Sequence, residues 1–441
     1  MSYSPPTDIW EVDHQIRFYE PLDKDDPRHV SLDEGRGSFS LNPLLRSLGV
    51  NPRTDELMRA PDQVYGLFLG HRGCGKSTEL RRLARRLSGA DRFFVVFLDV
   101  TLELDPNDLN YADVLLALAK QLIERLEAVQ LRVDPVYFEN LEIWFDERIE
   151  KNDKTRELVA QVRAGAQASA GLPLLGKLFA ELANTFKISS THREELRRIV
   201  KNTFSQFAQA FGQFLEAVER EIVRTGKGKK LLFIIDGTDR LSGDDSKRFF
   251  IQDVHQLQLI RSNFLYCAPI HLIYEGNQVQ QSFEHHVLPM VKLAERDPSA
   301  GRFEPGYGVL REMIFKRADR SLFDSQETMD RIIEYSGGNP REVLRLMHMT
   351  FQRSQSDLFD AAAVDLAIKD LATDYKRILE SEDYKVLYEI DHATNHEGDI
   401  SSEVNRRLLY NLAMLEYNSF WRRSHPVVRE LPAYKAQQRS S

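Results

Sequence analysis

The chain has 441 residues, long enough for two or three domains with separate cores. Hydrophobic residues make up 42% and charged residues 29%, an ordinary globular balance, and no run of sequence resembles a signal peptide or a bilayer-spanning segment. The net charge of −8 argues against wholesale wrapping of nucleic acid, and two cysteines, Cys74 and Cys267, make no disulfide framework, so a reducing, cytoplasmic setting is expected.

Residues 1–60 are rich in Pro, Asp and Arg and read as an extended arm ending in a short helix, Asn42 to Leu48. Val64 to Leu69 then reads as a buried strand, and Leu80, Leu83, Ala84 and Leu87 recur at helical spacing after it. Between strand and helix, Gly70-His71-Arg72-Gly73-Cys74-Gly75-Lys76-Ser77-Thr78 fits the phosphate-binding loop G-x-x-x-x-G-K-[ST]. Glycines let backbone N–H groups turn toward a β-phosphate at a positive helix N-terminus. Lys76 is placed to reach the β- and γ-phosphates and the Ser77 hydroxyl to hold Mg²⁺. The motif predicts a nucleoside-triphosphate site, over whose base the N-terminal arm would pack.

Arg92 to Val100 is a second predicted strand, followed by a helix over Ala112 to Val129, so strand and helix alternate as in a parallel sheet covered on both faces. A long helical insertion, about 110–225, comes next. It includes a small-residue stretch, Ala164 to Phe186, read as packed helices rather than a membrane-touching segment. From a capping-box pattern at Thr191 to Glu194, the stripe Leu196, Val200, Phe204, Phe207, Phe211, Phe214, Val218, Ile222 advances by three or four residues throughout.

The apolar strand Leu231 to Ile235 ends in Asp236-Gly237-Thr238-Asp239. An acid at such a strand tip can orient Mg²⁺, which assigns Asp236 to the metal and Asp239 to polarising the attacking water. A fourth strand is predicted at Pro269 to Tyr274, with Asn277 after it as a γ-phosphate sensor, and a last one at Val287 to Leu293. His, Cys, Asp and Glu show no metal-ligand spacing, so Mg²⁺ carried in with ATP is the only metal expected.

Beyond Pro305 the pattern is helical. Arg317 closes one helix, and Gly337-Gly-Asn-Pro-Arg341 opens another with Asn339 as N-cap and Pro340 at the first position. Arg341 thus falls in a first turn, where a cation is disfavoured without a nearby anion. The tail has a winged-helix outline: a helix over Ser402 to Leu412, then two strands around a turn between Met414 and His425. Its basic residues, Arg406, Arg407, Arg422, Arg423, Arg429, Lys435 and Arg439, face only Glu416 and Glu430, and two readings stand, a DNA-contacting wing or a module packed on the core or on a partner.

These motifs in this order resemble AAA+ and STAND-type ATPases, most closely the origin-recognition/initiator-like branch. The resemblance implies an α/β fold: a P-loop NTPase parallel sheet over 61–300, a helical lid over 301–378 and a winged-helix domain over 379–441. It also implies that Arg317 reaches a neighbouring subunit's γ-phosphate and that Arg341 senses the nucleotide from the lid. In this sequence the strand end reads Asp-Gly-Thr-Asp where many AAA+ members carry adjacent acids, and the insertion is unusually long. The expected activity is an ATP-hydrolysing regulatory switch, as in bacterial signalling or defence, whose nucleotide state controls homo-oligomerisation or partner binding. The alternatives are a DNA-loaded initiator or transposition regulator and a nucleotide-binding scaffold without turnover.

Overall fold

The structure is a computed structural model that describes residues 3–23, 25–105, 108–150, 175–181, 190–241, 243–392, 403–418 and 421–438. Its centre is a five-stranded parallel sheet of β1 (Val64–Gly70), β2 (Phe93–Asp99), β3 (Lys230–Asp236), β4 (Asn263–Pro269) and β5 (Glu284–Val287), in the order β2-β3-β4-β1-β5. Alternation along each strand divides the core. Tyr65, Leu67, Leu69, Phe94, Val96, Phe233 and Ile235 face the insertion helices. Phe68, Phe93, Val95, Leu232 and Ile234 face Leu80, Leu83 and Leu87 of the phosphate-loop helix Lys76–Leu87. Both faces are covered, so β1 to β4 are largely apolar, as buried parallel strands require, while the edge strand β5, Glu-His-His-Val, is partly exposed.

The fourth strand lies earlier than the sequence suggested. Asn263–Pro269 pairs with β1 along its whole length, while Ile270–Tyr274 is a 3₁₀ turn. Asn263-Phe-Leu-Tyr-Cys-Ala and Ile-His-Leu-Ile-Tyr are both apolar runs, and periodicity cannot choose between adjacent short ones. The last strand is likewise shifted: Glu284–Val287 pairs with β1, and the chain beyond it runs on as an irregular strap through Val291.

The insertion joins β2 to β3, which are neighbours in the sheet. Helix Tyr111–Ala128 starts on a capping box in which Asn110 and Asp113 exchange side-chain and backbone bonds. The aromatic stripe is buried as expected, but on two helices, Ser190–Asn202 and Phe204–Arg224. They break at Thr203, whose hydroxyl donates back to the Ile199 carbonyl and accepts from Trp144 Nε1. Most of Ala164 to Phe186 lies outside the described residues; within 175–181, which is helical, Leu175, Leu178 and Phe179 are buried.

A separate core unites the C-terminal helices Glu304–Phe315, Gln326–Tyr335, Pro340–Arg353, Ala361–Ile378 and Ser381–His392 with Ile9 and Val12 of the N-terminal arm. Helix Glu403–Tyr410 leads to a two-stranded antiparallel sheet, β6 (Met414–Glu416) and β7 (Arg422–Ser424). Leu415, Tyr417 and Trp421 beside it pack into the core under the phosphate-loop helix. The basic tail is largely neutralised inside the chain. Arg422 is 1% exposed and paired with Glu416, Arg406 with Glu275, and Arg407 with Asp383.

Candidate nucleotide site

The phosphate loop leaves β1 at Gly70 and enters helix Lys76–Leu87 through Gly75, whose φ of 103° is left-handed. Gly73 (φ 82°) is required for a second reason. A Cβ there would sit 2.6 Å from Asn339 Oδ1 and 2.7 Å from the Arg341 Cβ, so the C-terminal helix Pro340–Arg353 approaches the loop backbone directly. The Cys74 side chain is fully buried with Sγ near the Leu288 carbonyl, so this residue offers the site only its backbone.

Lys76 is 3% exposed; its Nζ donates to the carbonyls of Gly70 and His71, each at 2.8 Å, and pairs with Asp239 Oδ2 at 2.8 Å. Burial works against the ammonium charge, but the Asp239 carboxylate outweighs it and holds the lysine above its ordinary value. The converse holds for Asp239, which burial would raise and Lys76 depresses. The Ser77 hydroxyl donates to Asp236 Oδ1 at 3.0 Å, and the Gly237 N–H donates to the same oxygen at 2.8 Å. Burial, helped by Asp239 and by Asp99 in register on β2, raises Asp236 to about 6. The helix's next residue, Thr78, accepts from the Leu22 N–H through its hydroxyl and so ties the N-terminal arm to the site.

One cavity of about 550 Å³ joins these groups to the N-terminal arm and to the C-terminal helices; the arm lines one side, from Arg17 to Leu32, and Arg317 and Arg341 the other. Arg341 stands in the first turn, with its N–H bonded to Asn339 Oδ1 at 3.0 Å, the N-cap and Pro340 being placed as the sequence implied. Arg317 is 6% exposed, donates among the described residues to the carbonyls of Arg28 (3.1 Å) and Met313 (2.9 Å), and is pushed down to about 10 by burial and by Arg28. It faces its own chain's cavity. Asn277 begins a short helix, Asn277–Ser282, eight residues past the end of β4 at Pro269 rather than at a strand tip, and its side chain lies outside the described residues.

Sequence reading missed three participants. Asp99 ends β2 opposite Asp236, a position that aligned parallel strands could have revealed. His71, 1% exposed, accepts the Glu416 N–H at Nε2 (2.9 Å), which joins the loop to β6; burial and then Lys76 push it down to about 3, so it is neutral. Arg36, also 1% exposed, donates from Nη2 to the Cys74 carbonyl at 2.7 Å. The sequence does not mark these contacts, because His71 is met by Glu416 and Arg36 by Pro289 and Cys74, none of them close in the chain.

The donor set fits a magnesium–triphosphate. Ser77 and Asp236 present oxygen ligands of the hard type Mg²⁺ prefers; Lys76, Arg36 and Arg317 give the cavity buried positive charge, and the half-buried Arg341 adds to it. Among the described residues no group of three or more His, Cys, Asp or Glu could hold a metal by itself, and no helix is long and apolar enough to cross a membrane.

No family model matches the chain, and no curated protein does. Among solved structures it is similar to the Walker-type ATPase of Pyrococcus abyssi, at 12% identity and a TM-score of 0.43, over 95% of this chain and 99% of that one. That likeness assigns no residue a role.

Proposed function

We propose that the chain binds magnesium–ATP in this cavity, hydrolyses it, and passes the nucleotide state to its C-terminal helices. The observation that carries the reading is the double pairing at the loop: Lys76 with Asp239, and Ser77 with Asp236, all facing one cavity. Bound magnesium–ATP would bring an electrophilic γ-phosphorus and a cation to neutralise charge as the terminal bond breaks. In this reading Ser77 and Asp236 hold the cation, and Lys76 turns from Asp239 to the phosphates. Asp239, released, accepts the proton of the attacking water. Arg341 and Arg317 supply positive charge from the C-terminal side.

A switch reading follows from where those two arginines come from. Both belong to the helical C-terminal third, so a γ-phosphate would draw that third toward the loop, and its loss would release it. Arg317 is assigned a role in cis, because it lines the cavity that its own Lys76 lines. Duplex-DNA contact through the tail would need free cations, whereas Arg406, Arg407 and Arg422 are each held by an acid.

The test is equilibrium binding of a fluorescent ATP analogue, with and without Mg²⁺, alongside phosphate release. Lys76→Met should lower affinity at least about a hundredfold, the scale of losing a buried cation–phosphate contact. Asp239→Asn should bind ATP and lose turnover. Tight ATP binding by Lys76→Met would refute the site.

A further inference from the structure

We propose that Arg36 is a positioning residue for the phosphate loop, holding the Cys74 carbonyl outward and placing a buried positive charge beside the phosphates. This rests on the nucleotide reading above and deepens it.

Arg36 ends a short 3₁₀ turn, Asp33–Arg36, far from the loop in sequence. Its guanidinium forks between two main-chain carbonyls, with Nη1 on Pro289 just past β5 and Nη2 on Cys74 at 2.7 Å. A loop carbonyl pinned outward leaves the neighbouring N–H groups free to face an anion, which is the geometry the motif needs. The guanidinium also lies against the last loop glycine, since a Cβ on Gly75 would stand 3.6 Å from Nη2. It lines the same cavity as Lys76 and Ser77.

Its charge balance is unusual for a side chain that is 1% exposed. Nε has no hydrogen-bond acceptor among the described residues, and the acceptors of Nη1 and Nη2 are neutral carbonyls. Among the described residues no carboxylate forms an ion pair with it; Glu79 and Asp33 act only from further away. An arginine does not shed its proton, so the chain keeps a buried cation that is destabilising unless something anionic balances it. The placement is also built in. The Lys292 N–H donates to the Gly35 carbonyl at 2.8 Å, and a Cβ at Gly35 would meet Val309 Cγ2 at 2.5 Å. The turn carrying Arg36 is therefore clamped against the C-terminal helix Glu304–Phe315.

A positioning role predicts a loss that depends on phosphate number, which a purely structural arginine would not give. The experiment uses the full chain and measures dissociation constants for magnesium–ATP and for AMP, with melting curves, for the parent, Arg36→Met, Arg36→Lys and Lys76→Met. Arg36→Met should weaken ATP at least about tenfold, the scale of one charge-assisted hydrogen bond, and leave AMP within about twofold. Arg36→Lys keeps the charge but cannot form the fork, so it should recover part of the ATP affinity. ATP binding by a folded Arg36→Met within twofold of the parent overturns the proposal. So does an equal loss for ATP and AMP. If Arg36→Met does not fold, the same ratio measured on Arg36→Lys decides. A parent that binds ATP no better than Lys76→Met overturns the nucleotide reading itself, not the assignment of Arg36 alone.

Discussion

Asp236→Asn should make the protein more stable and at the same time inactive. Asp236 is 2% exposed, and burial with Asp239 and Asp99 raises it from the ordinary 3.8 to about 6. A shift of roughly 2 units is worth about 3 kcal/mol, at 1.36 kcal/mol per unit, as a ceiling. The sign follows from the raised value. The folded state takes up the proton more readily than the unfolded chain, so the ionised form costs stability above about pH 6, and that cost disappears as pH falls toward 4. Asparagine keeps the volume and an oxygen that can still accept from Ser77 and Gly237. Urea unfolding of parent and variant at pH 8 and pH 4.5 measures the difference without nucleotide. The variant should gain up to about 3 kcal/mol at pH 8 and about 1 kcal/mol at pH 4.5, while Mg²⁺-dependent phosphate release falls to background. A variant less stable than the parent at pH 8, or a gain that ignores pH, would refute the account of why this carboxylate is strained.

Phosphate release by the parent should fall as pH drops below about 6, because protonated Asp236 loses its hold on the cation, and excess Mg²⁺ should move that midpoint downward. Lys76→Ala leaves the Asp239 carboxylate buried and unpartnered, so it should cost about 3–5 kcal/mol in urea, most of it regained in Lys76→Met/Asp239→Asn without any return of ATP binding. If Arg317 acts in cis, mixing Arg317→Ala with Lys76→Met restores no turnover; recovered activity in the mixture would place it in a neighbouring subunit's site. Gly73→Ala drives a methyl into Asn339 and Arg341 at a left-handed φ, and should weaken ATP binding about tenfold or more with little change in AMP binding.

What the sequence made legible is what chemistry forces to be local. The loop, the strand before it and the helix after it are contiguous, so the position of Lys76 and Ser77 at the start of that helix could be read directly. Asp236 was readable because an acid closing a wholly apolar strand has few reasons to be there. The Asn339-Pro340 cap was readable because a helix start has its own side-chain signature. Illegible features needed distance or register. Two adjacent apolar runs competed for the fourth strand, and only pairing with β1 selects Asn263–Pro269. The break at Thr203 leaves the apolar period intact, so the stripe could not reveal it. The basic tail looked like a free patch because Glu275 and Asp383, which neutralise Arg406 and Arg407, lie outside the window in which its charges were counted.

The same distances bear on how a nucleotide signal could leave the site. Each residue of the loop between His71 and Cys74 is held by a group from outside the sheet. Glu416 of β6 donates to His71, Asn339 Nδ2 to the Arg72 carbonyl at 2.9 Å, the Arg341 N–H to the Gly73 carbonyl at 3.4 Å, and Arg36 to Cys74. Arg72 also lies over the ring of Tyr410, at the end of the helix that leads into β6. A loop built only to bind phosphate could satisfy those carbonyls with water. Here three of the four grips come from the C-terminal third, and the Glu416 that reaches His71 is itself locked to Arg422 and Tyr274. Any shift of the loop on phosphate binding therefore has to be met by movement at Asn339, Arg341 and β6, or it is resisted by them. Glu416→Gln loosens that lock while leaving the main-chain N–H on His71 in place. If the C-terminal third sets the loop, this variant should change ATP affinity and turnover together although it touches no nucleotide; unchanged values for both in a folded protein would confine control to the loop itself.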